Sequence, residues 1–287
     1  MERARAAQGV GELFAGGSYD PTATAGLVAW QRPSGIALLS RAGAAEALPG
    51  THPALGGARV AWREGDAVVV ADAATLQRRE RHHAPGAGAL AVSDLLAAWR
   101  VRDAAGTDRI WTAPRGGTPR PLIELPAPDE LGRPALVGTR LLCHVAGPVG
   151  SRLLSVDTAT GVPQILREEP GAQLSNPATD GELMLYVHAT GRAQELRLGT
   201  LEPLAPEDDE VLLVHPSSGR RDREREPNRR RHRHEGIRPA LPPRAQPGVV
   251  DTLWTTALTA DAAYVTRLRT RRGQPRTADI LRVGIAA

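Results

Sequence analysis

Four stretches of the chain begin on proline and end nine residues later on an apolar or aromatic side chain: PTATAGLVAW (Pro21 to Trp30), PALGGARVAW (Pro53 to Trp62), PALVGTRLLC (Pro134 to Cys143) and PATDGELMLY (Pro177 to Tyr186). Two looser copies, LAVSDLLAAW (Leu90 to Trp99) and TALTADAAYV (Thr256 to Val265), keep the length without the proline. The end positions are separated by 32, 37, 44, 43 and 79 residues, so the last interval holds about two periods. Self-similarity at such an interval constrains the fold more than any single segment does, because each repeat is a unit that buries its faces only against its neighbours.

A second feature follows each copy, as in GIALLSRAG (35–43), DAVVVADAAT (66–75), DRIWTAPRGG (108–117), SRLLSVDTATG (151–161), QELRLGTL (194–201) and DILRVG (279–284). Branched and bulky residues at short range, closed by glycine, aspartate or threonine, predict strand followed by turn. No window keeps an apolar stripe at helical spacing for three turns, and 30 glycines and 24 prolines punctuate the chain. Repeats of about 40 residues with about four short strands predict an all-β chain, a six-bladed β-propeller. Closure of the ring needs a strand from the other end of the chain, and VGELFAG (Val10 to Gly16) is placed to complete the blade of DILRVG. The predicted organisation is a disordered start over 1–8 and a single propeller domain over 9–287. Trp30, Trp62, Trp99, Cys143, Tyr186 and Val265 become equivalent positions, expected to pack between blades. A β-sandwich with a tail explains the strands but not the fixed phase.

The repeats resemble those of TolB-like, or PD40, β-propellers, in which a Pro-Asp-Gly-type turn precedes an apolar strand, a polar turn and a second strand ending near aspartate. NPATDGELMLYVHATGRAQELRLGTL (Asn176 to Leu201) carries the resemblance best, followed by PALVGTRLLCHVAGPVGSRLLSVDTATG (Pro134 to Gly161), with Asp157 and Gly161 in the turn. The resemblance covers roughly residues 18–200 and 251–284, and most copies lack the full triplet. It implies a non-enzymatic scaffold acting through protein contacts at the channel mouth, with a protein partner, no cofactor, and the chain as a monomer.

Composition removes several chemistries. All 36 basic residues are arginine, so a P-loop lysine, a Schiff-base lysine and a Ser-x-x-Lys pair are excluded. Universal arginine in a chain rich in alanine, glycine and proline reads as GC-rich coding bias, which weakens arginine as a sign of nucleic-acid binding. Cys143 has no second cysteine to pair with and lies in an apolar stretch, as a buried small hydrophobe would. No run of about 18 apolar residues marks a membrane span, and the start, MERARAAQ, has no apolar core of a signal peptide. As it reads, the chain is expected in the cytoplasm; a mis-assigned start would place it in the periplasm or outside.

Catalytic signatures are sparse. A Gly-x-Ser-x-Gly elbow is absent, and SYDPTATAGLVAW (Ser18 to Trp30) shares only its first Ser and Asp with a sialidase turn. His144 and His188, one and two residues past consecutive repeat ends, are the candidates for catalysis in a rival reading as a propeller lyase or hydrolase with channel histidines. His82 and His83, beside Arg78, Arg79 and Arg81, read as a blade-edge loop.

Residues 219–244 hold ten arginines against four acids, so the +4 net charge of the chain is one local basic segment on a body close to neutral. It lies in the doubled interval, within a basic insertion expected to be disordered over about 216–247, or one degenerate blade. Arg229, Arg230, Arg231 and Arg233 are candidates for binding a polyanion such as nucleic acid or an anionic surface. Against that reading, the segment has no aromatic residue for stacking, and acids alternate with arginine in it. The acidic run Glu207 to Glu210 could neutralise it from within. A metal at His232, His234 and Glu235 is disfavoured by the surrounding arginines.

Overall fold

The computed structural model describes residues 7–14, 19–24, 26–40, 45–191, 193–216, 249–271 and 277–285. The sheets form six blades in a ring. β1 (Ala7–Phe14) comes from the start of the chain, and blade 1 follows as β2 (Tyr19–Thr24), β3 (Leu27–Arg32), β4 (Gly35–Ser40) and β5 (Ala45–Leu48). Blade 2 is β6 (Thr51–Gly56), β7 (Arg59–Glu64), β8 (Ala67–Asp72) and β9 (Arg78–His83). Blade 3 is β10 (Ala87–Val92), β11 (Leu96–Arg102), β12 (Asp108–Pro114) and β13 (Arg120–Leu125). In blade 4 the inner strand is split into β14 (Glu130–Leu131) and β15 (Ala135–Val137), both paired with β16 (Arg140–Gly147), which continues to β17 (Gly150–Asp157) and β18 (Pro163–Pro170). Blade 5 is β19 (Gln173–Thr179), β20 (Leu183–Thr190), β21 (Ala193–Thr200) and β22 (Glu210–Pro216). Blade 6 is β23 (Val249–Thr259), β24 (Ala262–Arg271) and β25 (Thr277–Ile285), completed by β1, which pairs antiparallel with β25 through Val10↔Val283. The N-terminal strand thus closes the last blade as expected.

The nine-residue phase is a pairing register. Thr22 faces Ala29, Ala54 faces Ala61, Leu90 faces Trp99, Ala135 faces Leu142, Ala178 faces Leu185 and Thr256 faces Val265. In blades 3 and 6 this sets the repeat's first position opposite its last, and in the other four the second position opposite the last but one. The proline has a matching reason: the ladder of the inner strand is interrupted there, between Tyr19 and Thr22, Thr51 and Ala54, and Ser175 and Ala178. A residue without an N–H costs no ladder bond at a bulge.

Six apolar clusters replace a single core, each shared by two adjacent blades. Trp62 packs between blades 1 and 2, Trp99 between 2 and 3, Cys143 between 3 and 4, Tyr186 between 4 and 5, Val265 between 5 and 6, and Trp30 between 6 and 1. All six are buried, at 2% exposure or less, so these positions are interblade packing as expected. Blades 5 and 6 share Leu196, Leu198, Leu253 and Val265 in one cluster. They are direct neighbours, so the long fifth interval contributes no further blade between them. Residues 217–248 lie outside the described residues.

Two local readings change. His82 and His83 stand on β9, where His82 stacks on Trp99 with ring centroids 5.6 Å apart. Within the acidic run, Asp209 is buried rather than turned to the basic segment: it receives Nε and Nη2 of Arg167 at 2.7 Å and the Tyr186 hydroxyl at 2.7 Å. A fully buried guanidinium needs a carboxylate at that spot, and a solvated loop of like composition does not.

Candidate functional site

The inner strands begin around the mouth of the central channel, a cavity of about 740 Å³. The residue before the repeat's first position supplies one side chain per blade: Asp20, His52, Ala89, Arg133, Asn176 and Thr255. Asp20, His52 and Asn176 have φ of 58°, 57° and 52°, a left-handed conformation that aspartate, asparagine and histidine tolerate better than most residues. That twist turns each amide toward the preceding blade. Asp20 N–H donates to Thr266 Oγ1 at 3.1 Å, His52 N–H to Gln31 Oε1 at 3.0 Å, and Asn176 N–H to His144 Nδ1 at 3.1 Å. The three acceptors occupy one repeat position, just past the repeat end, so a side chain there ties neighbouring blades at the rim.

Across the channel, Arg133 of blade 4 meets the Asp20 carboxylate of the opposite blade 1, and its Nη2 donates to Pro53 O at 3.2 Å. Burial lowers the Arg133 guanidinium to about 10, so it stays charged at neutral pH. Below this bridge the channel narrows to a space of about 50 Å³ lined by Thr22, Leu55, Val92, Leu136, Ala178 and Leu258. The other charged side chains of the mouth are also paired. Arg100 donates through Nε and Nη2 to the buried Asp108 at 2.9 and 2.8 Å, and Arg102 reaches Glu130 at 2.5 Å.

His144 lies in this mouth, and His188 does not line it. The one-residue difference in their offsets decides this, since successive side chains of a strand point to opposite faces. His188 Nε2 is 2.8 Å from Glu169, with Glu195 3.5 Å from Nδ1. The neighbouring Glu195 carboxylate first, and Glu169 with it, outweigh burial and raise the His188 pKa. His144 is lowered to about 4, by burial first and by Arg100 second, against a smaller opposing pull from Glu130. It is therefore neutral at pH 7, accepts at Nδ1 and carries its proton on Nε2. The two histidines are not brought together. Arg229, Arg230, Arg231 and Arg233 lie outside the described residues. Among the described residues no three His, Cys, Asp or Glu side chains are grouped to hold a metal.

The rim is uneven. Two residues before the repeat's first position stand Tyr19 and Trp254 in blades 1 and 6, but Gly88 and Gly132 in blades 3 and 4. Tyr19 and Trp254 are 36% and 46% exposed, and they are the exposed aromatic side chains among the described residues. Gly132 has a specific cause, because a Cβ there would fall 1.8 Å from Cε1 of His144. These rim residues escape a reading that starts the repeat at proline; the polar residue immediately upstream, in Asp20-Pro21, His52-Pro53, Arg133-Pro134 and Asn176-Pro177, was the available signal.

Solved structures share this fold. TolB from Acinetobacter baumannii matches with a TM-score of 0.52 at 12% identity, over 99% of this chain and 65% of that one. The fold is a six-bladed β-propeller. The β-propeller domain of the Trilobed protease from Pyrococcus furiosus matches with a TM-score of 0.52 at 12% identity, over 92% of this chain and 95% of that domain. A putative TolB from Agrobacterium tumefaciens gives 0.50 at 13% identity, over 82% and 78%. The chain spans about two thirds of the Acinetobacter TolB it matches, and at these identities the likeness is one of fold. No protein-family model and no curated protein sequence matches the chain.

Proposed function

We propose that the chain is a non-enzymatic propeller serving as a protein-interaction scaffold, with the channel mouth as its docking face. The observation that carries this reading is the pair Tyr19 and Trp254. They are exposed aromatics at one repeat position of adjacent blades, over an open cavity. Exposed aromatic side chains with a polar surround are what interface cores use, and a monomeric ring has no packing need for them there. The paired charges support the same reading, because Arg100, Arg102 and Arg133 each already hold a carboxylate. Such pairs hold the rim in shape and leave those carboxylates poorly suited to proton transfer.

The test is recovery of bound protein from the native cell with a tagged chain. The double variant Tyr19→Ser, Trp254→Ser should lose the partner, and Val149→Ser, Val162→Ser, at exposed positions of blade 4, should keep it. Substrate turnover by the purified protein that disappears in His144→Ala would overturn the reading in favour of an enzyme.

A further inference from the structure

The mouth holds more hydrogen-bond donors than its own residues use. His144 accepts from Asn176 N–H at Nδ1, and Gly132 lies flat against its ring, which leaves Nε2–H as the polar group given to the cavity. Gln194 accepts Leu253 N–H at Oε1, 2.7 Å away, and its NH2 group makes no hydrogen bond to the described residues. Asn176 is 9% exposed and lines the cavity, and its side-chain amide makes no hydrogen bond to the described residues. That amide opens onto the cavity, where water or a ligand can satisfy it. The carboxylates that line the mouth, by contrast, are paired: Asp20 with Arg133 and Glu130 with Arg102.

These groups lie on one side. Thr256 Oγ1 donates to Asn176 O at 2.5 Å, and Gln194 is bonded to the residue before Trp254, so the donors border the aromatic wall. Gly86 and Gly88 of blade 3, across the channel from Trp254, leave that side open. The donors are neutral N–H groups and the guanidiniums are already matched. That arrangement suits a single negative charge; a phosphate dianion would need an unmatched cation.

We propose that the mouth binds a carboxylate-bearing ligand, its oxygens received by His144 Nε2–H and the amide groups of Asn176 and Gln194, with its apolar part against Tyr19 and Trp254. The proposal rests on the mouth being the docking face, and it names the group a partner would present there.

The test uses hippurate, an aromatic ring joined to one carboxylate, with neutral hippuramide as its counterpart, titrated against the full chain by following tryptophan fluorescence. Hippurate should bind at least about tenfold more tightly than hippuramide, the effect of one well-made charge-assisted bond. Gln194→Glu keeps the acceptor for Leu253 N–H, and Asn176→Asp keeps a residue tolerant of positive φ; each replaces a donor by a negative oxygen. Either should weaken hippurate by about tenfold or more and leave hippuramide within about threefold. Equal binding of the two compounds to the unsubstituted chain overturns the proposal even if the variants fail to fold, and so does no hippurate binding at about 10 mM. Hippurate binding without partner loss in Tyr19→Ser, Trp254→Ser would keep the carboxylate site and refute the protein-docking reading.

Discussion

Gly132→Ala is the smallest change that tests how the rim is built. The added Cβ would meet Cε1, Nδ1 and Nε2 of His144 at 1.8, 1.9 and 2.4 Å, and the ring must leave its place. Its departure breaks the Asn176 N–H···Nδ1 bond that joins blades 4 and 5. A buried donor left unsatisfied costs about 1–3 kcal/mol, and forcing a methyl into a packed site adds about 1–3 kcal/mol, so the substitution should destabilise by about 2–6 kcal/mol. The steric part requires the imidazole. His144→Ala alone should cost about 1–3 kcal/mol, and adding Gly132→Ala to it should cost under about 1 kcal/mol more. Equilibrium urea unfolding of the four proteins gives the coupling directly. Gly132→Ala within about 0.5 kcal/mol of the parent, or additive with His144→Ala, would refute the contact as the reason for this glycine.

Other outcomes follow from the same contacts. Asp20→Ala leaves Arg133 charged and nine-tenths buried with the Pro53 carbonyl but no carboxylate, and should cost about 3–5 kcal/mol in unfolding free energy. Because His144 is lowered to about 4 in the folded protein, the unfolded chain binds more protons between pH 6.5 and 4. Stability should therefore fall by up to about 3 kcal/mol on acidification across that window, and His144→Gln should flatten the slope of unfolding free energy against pH. His188 has the opposite sign. Its raised pKa, set by Glu195 and Glu169 against Arg197, gives stability that is complete below about pH 6.5 and lost as pH rises through the folded-state value, a loss absent in His188→Gln. Deleting residues 219–236 should leave the thermal midpoint and far-ultraviolet circular dichroism unchanged, since blades 5 and 6 pack directly on each other.

The ring was legible because two demands fall on the same residues. Hairpin register fixes the distance from Pro21 to Trp30 and its equivalents, and packing between blades requires the end position to be apolar, so both appear as a repeat. The mouth was not legible for the converse reason. Asp20, His52, Ala89, Arg133, Asn176 and Thr255 occupy one structural position that lines an open cavity, where Asp20 and Arg133 pair across the channel and the others do not, so no common residue type recurs. His144 and His188 looked alike at offsets of one and two residues, and in a strand that difference is a change of face. Asp209 looked like part of an acidic run able to neutralise the basic segment because its partner Arg167 is 42 residues away.

The docking claim is tested most directly by placing a photo-crosslinking side chain at Trp254, and separately at Val162 on blade 4, and irradiating the native cells. Adducts of discrete mass with another protein at position 254, absent at 162 and lost when Tyr19 is also changed to serine, are the expected result. Adducts at 162 but not at 254 would contradict a scaffold that receives its partner at the channel mouth.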